Sequence, residues 1–329
     1  MDKIVVTSRR FFMKFPKLEY FENRAKEIGA TIVPVRAEDD DTLMNELNDA
    51  SVVVVIGRQI DRKIIESMKR GKMILAMQVG YDCVDIEAAT EHGMVVSNVP
   101  VYCTDEVANH AITLLLAVSR KIKLLIRETS QAKWDYNIAK PIYNFKNRVL
   151  GIIGLGRIGR ALVPKAKGFG MNVQAYDPYL HDDIFNLLEV RRVYDLDDIL
   201  KTSDYLSIHA PLTPETFRMI DEKAIGMMKK DSVLINTARS RIVDYNALLK
   251  AINEGRLAGA GIDVMDVEPP DKDDPILNND RIIVTPHIAW YSEESLENLM
   301  EYSMDEIIRV LKGRRPRWIL NPEVLYQKD

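Results

Sequence analysis

The sequence predicts an α/β protein of two doubly wound domains, one inserted in the other, with a cleft between them. Three observations carry that expectation. Apolar, β-branched runs alternate with helix-like segments along nearly the whole chain. The run at 149–153 breaks at Gly154-x-Gly156-x-x-Gly159 and continues as a helix-like stretch over 160–168. Two long amphipathic stretches, starting at Thr104 and Ser292, are placed to cross from one domain to the other. The expected division puts 1–102 and 296–329 in one domain and 103–295 in the other.

Taken in order, 3–7 reads as a strand and 17–29 as a helix closed by Gly29. Residues 31–35 form a strand and 41–48 a short helix. The unbroken run at 52–56 reads as a central parallel strand. A helix capped by Asp61 follows, then strands at 73–77 and 94–97 with a helix at 85–92 between them. Thr104 reads as the N-cap of a long helix whose stripe runs through Ala108, Ala111, Ile112, Leu115, Ser119 and Ile122. Residues 128–147 lack a period and hold Trp134, Tyr136, Tyr143 and Phe145, either an interdomain cover or a subunit arm. Beyond the glycine motif, strands are expected at 171–176, 204–208, 232–236, 258–262 and 281–284. Helices are expected at 196–201, 221–228, 244–255 and 292–312, with Asp244 as a cap.

Composition bounds the function. The chain has 329 residues, enough for two domains, with 47% hydrophobic and 29% charged residues. A net charge of −4 gives no basic field for nucleic acid. The pairs Arg9-Arg10, Arg191-Arg192 and Arg314-Arg315 read as solvated surface. Cys83 and Cys103 have no metal-type spacing, so no metal site is expected, and they fit a reducing compartment. The N-terminus does not read as a signal peptide, and the apolar runs are short of a membrane span. A cytoplasmic protein with neither membrane nor nucleic-acid partner is expected.

The glycines define a phosphate site. Gly154 allows a tight turn, Gly156 lets a pyrophosphate approach the backbone, and Gly159 lets helix and strand pack closely. Arg157 and Ile158 open the helix, whose free N–H groups and dipole favour an anion. Eighteen residues after Gly159 the next strand ends in Asp177, followed by Pro178. A carboxylate there accepts from the adenosine ribose hydroxyls and repels a 2′-phosphate, so the expected cofactor is NAD rather than NADP.

Ligands of open α/β sheets bind beyond the carboxyl ends of strands. That rule collects His209 and Pro211, then Thr237, Ala238 and Arg239, then Asp263 and Glu268, then His287. One such histidine, one arginine and one or two carboxylates suit hydride transfer to a keto acid. A histidine protonates the alkoxide, a carboxylate orients the imidazole, and an arginine clamps the substrate carboxylate. His92, His110 and His181 read as structural or exposed.

These blocks, together with Tyr176-Asp177-Pro178, His209-Ala-Pro-Leu-Thr213, Ile235-Asn-Thr-Ala-Arg239, Gly261-Ile-Asp263, Val267-Glu268-Pro269 and Thr285-Pro-His287, stand in family order. The chain resembles the D-isomer-specific 2-hydroxyacid dehydrogenases over nearly its whole length. The resemblance implies an NAD-dependent oxidoreductase interconverting a small 2-keto acid and a D-2-hydroxy acid, of glyoxylate/hydroxypyruvate reductase or phosphoglycerate dehydrogenase type. It implies Arg239, Glu268 and His287 as the catalytic set, Asp263 as holder of the nicotinamide carboxamide, and backbone N–H groups of Val79 and Gly80 on the substrate carboxylate. It also implies a homodimer, with the aromatic stretch as its arm. Within the family, Tyr176–Leu180 and His287–Glu294 look most like the C-terminal-binding-protein branch, which places Trp290 over the substrate. That branch keeps open an NAD(H)-sensing, corepressor-like scaffold; a phosphite or formate oxidiser is a third reading.

Ser240-Arg241 departs from the small pair usual after the family's arginine. If the segment stays extended, positions 239 and 241 share a face and Arg241 aims into the cleft, favouring dianionic substrates.

Overall fold

The computed structural model describes residues 1–8, 18–36 and 39–326. The Arg9-Arg10 pair and Lys17, the first residue of the expected helix 17–29, lie outside them. The first run of elements is β1 (Lys3–Ser8), α1 (Leu18–Lys26), β2 (Thr31–Val35), α2 (Asp40–Leu47), β3 (Val52–Ile56), α3 (Arg62–Ser67), β4 (Met73–Ala76), α4 (Ile86–Glu91) and β5 (Val95–Asn98). Then come α5 (Thr104–Ser119), α6 (Ile122–Ser130), β6 (Val149–Ile153), α7 (Arg157–Gly168), β7 (Asn172–Tyr176), α8 (Asp182–Leu187), β8 (Arg191–Val193), α9 (Leu196–Thr202) and β9 (Tyr205–Ile208). The rest is α10 (Glu222–Met227), β10 (Val233–Asn236), α11 (Tyr245–Asn253), β11 (Gly259–Ile262), β12 (Ile282–Val284) and α12 (Glu293–Leu311).

The chain divides into two compact units, Met1–Tyr102 with Ser292–Asp329, and Cys103–Tyr291. The second boundary falls at Ser292 rather than 296. Ser292 caps α12 and accepts from Ser295 N, so a cut at 296 splits the first turn of a helix.

The first unit holds a five-stranded parallel sheet in the order β2-β1-β3-β4-β5. β3 lies between β1 and β4, and Val52 to Val55 are fully buried, which explains their unbroken apolar run. The C-terminal tail returns to this unit. Asn321 accepts from Val96 N at 2.8 Å and donates to Met94 O at 2.9 Å, while Ser97 Oγ donates to Trp318 O at 2.6 Å. These bonds occupy the edge at β5, where a bare strand invites pairing with another chain.

The second unit holds a seven-stranded sheet, β12-β11-β10-β9-β6-β7-β8, all parallel. From β6 the chain builds outward to β7 and β8, then returns to the other side of β6 at β9. The β6/β9 junction is therefore the switch point of a doubly wound sheet, where ligands bind. Both faces are covered. Leu150, Ile152, Val233 and Ile235 pack on one side with α5 and α7; Ile153, Leu234, Ile262 and Ile282 pack on the other with α9 to α11. Adjacent residues of one strand thus enter opposite cores, the two-residue period expected of strands.

Several expectations change. Cys103, not Thr104, is the N-cap of α5, and it makes no side-chain cap bond. The helix does not run on through Ile122: Lys121 takes φ 54°, and the chain restarts as α6. Lys123 then donates to Leu277 O, Asn279 O and Ile282 O at 2.8–2.9 Å, fixing the new helix to the end of the sheet. The irregular stretch begins later than expected, since α6 reaches Ser130, and it contains a 3₁₀ turn at Tyr136–Ala139. Arg191-Arg192 forms β8 rather than free surface. Arg192 donates to Asp182 at 2.6 Å and stacks on Phe185 and Tyr194.

Asp244 accepts from Asn246 N and Ala247 N at 3.1 Å and starts α11, which packs on the sheet of the second unit. Asp244→Ala is expected to lower unfolding free energy by about 1 kcal/mol and Asp244→Asn by much less, read from urea midpoints. Equal losses for the two variants contradict the cap.

Candidate active site

The glycine loop joins β6 to α7 beside the switch point. Gly154 has φ 87°, and a Cβ there meets Ala210 N at 2.7 Å and His209 C at 2.8 Å. A Cβ on Gly159 meets Gly154 O at 2.4 Å, so helix and loop touch. Nothing lies within 4 Å of a Cβ on Gly156, the open side from which a phosphate can approach. Gly156 is the N-cap of α7, so Arg157 and Ile158 present the first helical N–H groups there.

Asp177 closes β7 and is tied to the same loop. Its Oδ2 accepts from Leu155 N at 2.9 Å and its Oδ1 from Tyr179 N at 3.1 Å, around Pro178. Each oxygen keeps a lone pair for a ribose hydroxyl. His209 and Pro211 follow β9. The partly buried ring of His209 places Nε2 2.8 Å from Ser207 Oγ. Burial pushes its pKa down to about 4, so this ring is neutral at physiological pH.

The loop after β10 is arranged by a residue the sequence reading passed over. Asn236 is fully buried; its Nδ2 donates to Arg239 O at 2.9 Å, and its Oδ1 accepts from Ala238 N at 3.0 Å. Asn236 Nδ2 also donates to Tyr245 Oη, which donates to Val264 O at 2.8 Å. This chain couples the Arg239 loop to the loop after β11. Burial raises the Tyr245 phenol pKa, so it stays a donor. The buried Thr237 hydroxyl has no partner among the described residues, a free group on the rim where the resemblance places the cofactor.

His287 and Glu268 meet directly, Nδ1 to Oε2, at 3.0 Å. Glu268 is held in turn, its Oε1 accepting from Met265 N at 2.9 Å. The His287 side chain is 44% exposed, and its Nε2 faces no partner among the described residues, so that nitrogen is open to a ligand. Its φ of 55° lies in the left-handed region, which costs a non-glycine residue about 1–3 kcal/mol. Asp263 offsets this. It is 1% exposed and accepts from Ile288 N at 3.0 Å, Ala289 N at 2.8 Å and Thr285 Oγ1 at 2.5 Å. Asp263 is thus neither a turn residue nor a free carboxylate. Trp290 adds a bond from its indole N–H to His287 O at 3.0 Å, and so clasps the histidine loop.

The structure thus brings Glu268, His287, Asp263 and Trp290 together and sets Arg239 at the end of the neighbouring strand β10. In the first unit, Val79 and Gly80 follow β4 at the carboxyl end of that unit's own sheet. Their carbonyls accept from Asn98 Nδ2 at 2.6 Å and Gln78 Nε2 at 2.9 Å. Their N–H groups meet no acceptor among the described residues. Arg241 is not where an extended segment puts it. The chain turns into a 3₁₀ helix over Ser240–Ile242, so positions 239 and 241 do not share a face, and Arg241 is exposed.

Residues 112–289 match the family model described as D-isomer specific 2-hydroxyacid dehydrogenase, NAD binding domain. The chain belongs to this family. Among its relatives, the glyoxylate reductase of Korarchaeum cryptofilum is 35% identical over 94% of this chain and 91% of that protein. The D-3-phosphoglycerate dehydrogenase of Methanocaldococcus jannaschii is 35% identical over 92% of this chain, but the chain spans only 58% of that relative's length. The D-lactate dehydrogenase of Aquifex aeolicus, solved with NAD and lactic acid, is 29% identical, with a TM-score of 0.82 over 95% of this chain and 96% of that one. The glycine loop, Asp177 and the open Gly156 fit NAD, the cofactor of this 2-hydroxyacid dehydrogenase domain.

The partly buried, neutral His209 has a consequence for stability. Its ring titrates near 6.5 when unfolded but only near 4 when folded. Between those values the unfolded chain binds a proton that the folded chain refuses, so stability falls as pH drops through this window. The urea midpoint is expected to decline from pH 6.5 towards 4, and His209→Gln to flatten the upper part of that decline. A profile unmoved by His209→Gln contradicts the partly buried, neutral ring.

Proposed function

We propose that this 2-hydroxyacid dehydrogenase reduces small 2-keto acids to D-2-hydroxy acids with NADH, using Arg239, Glu268 and His287. The observation that carries the reading is the 3.0 Å contact between His287 Nδ1 and Glu268 Oε2 on the rim of an NAD-binding unit. Bound NADH supplies the hydride. The imidazolium of His287 has N–H on both nitrogens. Nδ1–H donates to Glu268, and Nε2–H is left to protonate the alkoxide as it forms. Glu268 fixes the ring orientation and is itself fixed by Met265 N. Arg239, its backbone anchored by Asn236, can clamp the substrate carboxylate in a bidentate geometry. We assign the free N–H pair of Val79 and Gly80 to a carboxylate as well.

Relatives named glyoxylate reductase, hydroxypyruvate reductase and phosphoglycerate dehydrogenase support a small 2-keto acid. The hydrogen-bonded His287–Glu268 pair favours an enzyme over the corepressor-like role suggested by the likeness to the C-terminal-binding-protein branch. We infer a homodimer from the arm. No residue of α6 is buried, and Ile126, Trp134 and Tyr136 are 63%, 91% and 72% exposed. No helix among the described residues is long and apolar enough to cross a membrane. The buried Cys83 and Cys103 suit a cytoplasmic setting.

His287→Ala is expected to lower kcat for reduction of glyoxylate or hydroxypyruvate by about a hundredfold, the scale of a lost general acid. The NADH dissociation constant should change much less, by no more than about threefold. A variant with near-normal kcat removes His287 from the proton path.

A further inference from the structure

We propose that His110 is a positioning residue for the catalytic histidine, acting through Thr285 and Asp263 as the donor end of a hydrogen-bonded chain. The inference rests on the reading of His287 as proton donor. His110 lies on α5, and its Nε2 is 2.9 Å from Thr285 Oγ1 although 175 residues separate the two in sequence. Thr285 Oγ1 is 2.5 Å from Asp263 Oδ1, and His110 Nε2 is 3.6 Å from the same oxygen.

Proton bookkeeping sets the direction of the chain. Both Asp263 oxygens accept from fixed backbone N–H groups, Oδ1 from Ile288 and Oδ2 from Ala289. Asp263 is thus the accepting partner at both oxygens, and the Thr285 hydroxyl donates to it. A hydroxyl has a single proton. With that proton committed to Asp263, Thr285 Oγ1 can only accept from His110, so His110 carries its proton on Nε2. A neutral ring in the other tautomer puts two lone pairs face to face at 2.9 Å.

The chain bears on the site because of where Thr285 sits. It begins the five-residue loop Thr285 to Ala289, whose middle member is His287 in the left-handed region. Thr285 N donates to Ile262 O and His287 N donates to Thr285 O, so a shift of Thr285 is passed to His287 through the backbone. Asp263 grips the far end of the loop, and His110 orients the threonine at its near end. His110 touches neither Glu268 nor the open Nε2 of His287 in any described contact. It thus acts by fixing the loop geometry rather than by moving a proton to substrate.

Two variants separate the hydrogen bond from mere packing. The amide nitrogen of Gln falls near the position of His Nε2 and can donate to Thr285, whereas Leu cannot. His110→Leu is expected to lower kcat for 2-keto acid reduction by about tenfold, since small misplacements of a catalytic group are costly. Its NADH dissociation constant should stay within about twofold, and His110→Gln should recover kcat to within about threefold. The tautomer is read independently of activity by long-range 1H–15N correlation of the imidazole rings at pH 8.5. With five histidines in the chain, the spectrum can be assigned by single substitution. Nε2–H on His110, with His287 ring signals that shift or split in His110→Leu and hold their place in His110→Gln, is the expected result. A His110 ring protonated on Nδ1 alone overturns the proposal. So does His110→Leu with unchanged kcat and unchanged His287 signals, or His110→Gln as impaired as His110→Leu. If the wild-type protein reduces no 2-keto acid, the functional reading fails, and the two spectroscopic observations still decide on His110.

Discussion

Burying a carboxylate costs several kcal/mol unless donors surround it, and Asp263 is 1% exposed. Its donors are the two backbone N–H groups that follow His287 and the hydroxyl that precedes it. The same bonds that make Asp263 tolerable therefore hold His287 at a φ of 55°. Neither feature is stable without the other. A loop free to relax its left-handed residue withdraws the donors from a buried charge, and the strain is small beside that desolvation cost. The Glu268 contact is secondary to this arrangement. It orients a ring whose backbone is already fixed.

The doubly wound sheet makes that arrangement possible. Parallel strands buried on both faces end on one side, so loops after β10, β11 and β12 are neighbours although they are far apart in sequence. Two hydrogen-bonded chains knit them. Asn236 and Tyr245 join the Arg239 loop to Val264, and Asp263 joins the β11 loop to the His287 loop. The dinucleotide loop stands across the switch point, where Gly154 presses on His209 and Ala210. The dinucleotide loop and the proposed proton donor His287 are thus both carried at the carboxyl ends of strands of one sheet.

Much of this was legible in the sequence, for physical reasons. Strands covered on both faces must be apolar throughout, so Val52–Ile56 and Val233–Asn236 stand out without a helical period. A backbone that touches backbone excludes side chains, so the glycines at 154 and 159 mark the loop. The rule that ligands gather at carboxyl ends of strands picked out Arg239, Glu268 and His287. What was not legible is equally physical. A helical stripe continues in sequence across Lys121, but the backbone does not. Three residues with two arginines do not look like a strand until Arg192 finds Asp182 and two rings. The 3₁₀ turn that takes Arg241 off the face of Arg239 leaves no periodic trace in three residues. His110 looked structural because its partner is 175 residues away. Long-range hydrogen bonds have no sequence spacing to read.

The central claim is that this chain moves a hydride from NADH to the carbonyl carbon of a 2-keto acid, with the proton supplied at oxygen. Isotope transfer tests it most directly. NADH dideuterated at nicotinamide C4 is incubated with hydroxypyruvate, glyoxylate or pyruvate, and the hydroxy acid is analysed by NMR and mass spectrometry. The account predicts one deuterium bonded to C2 of the product and a D configuration wherever C2 is a stereocentre. A product whose C2 hydrogen comes from solvent, or oxidation of the dinucleotide with no labelled hydroxy acid, contradicts it.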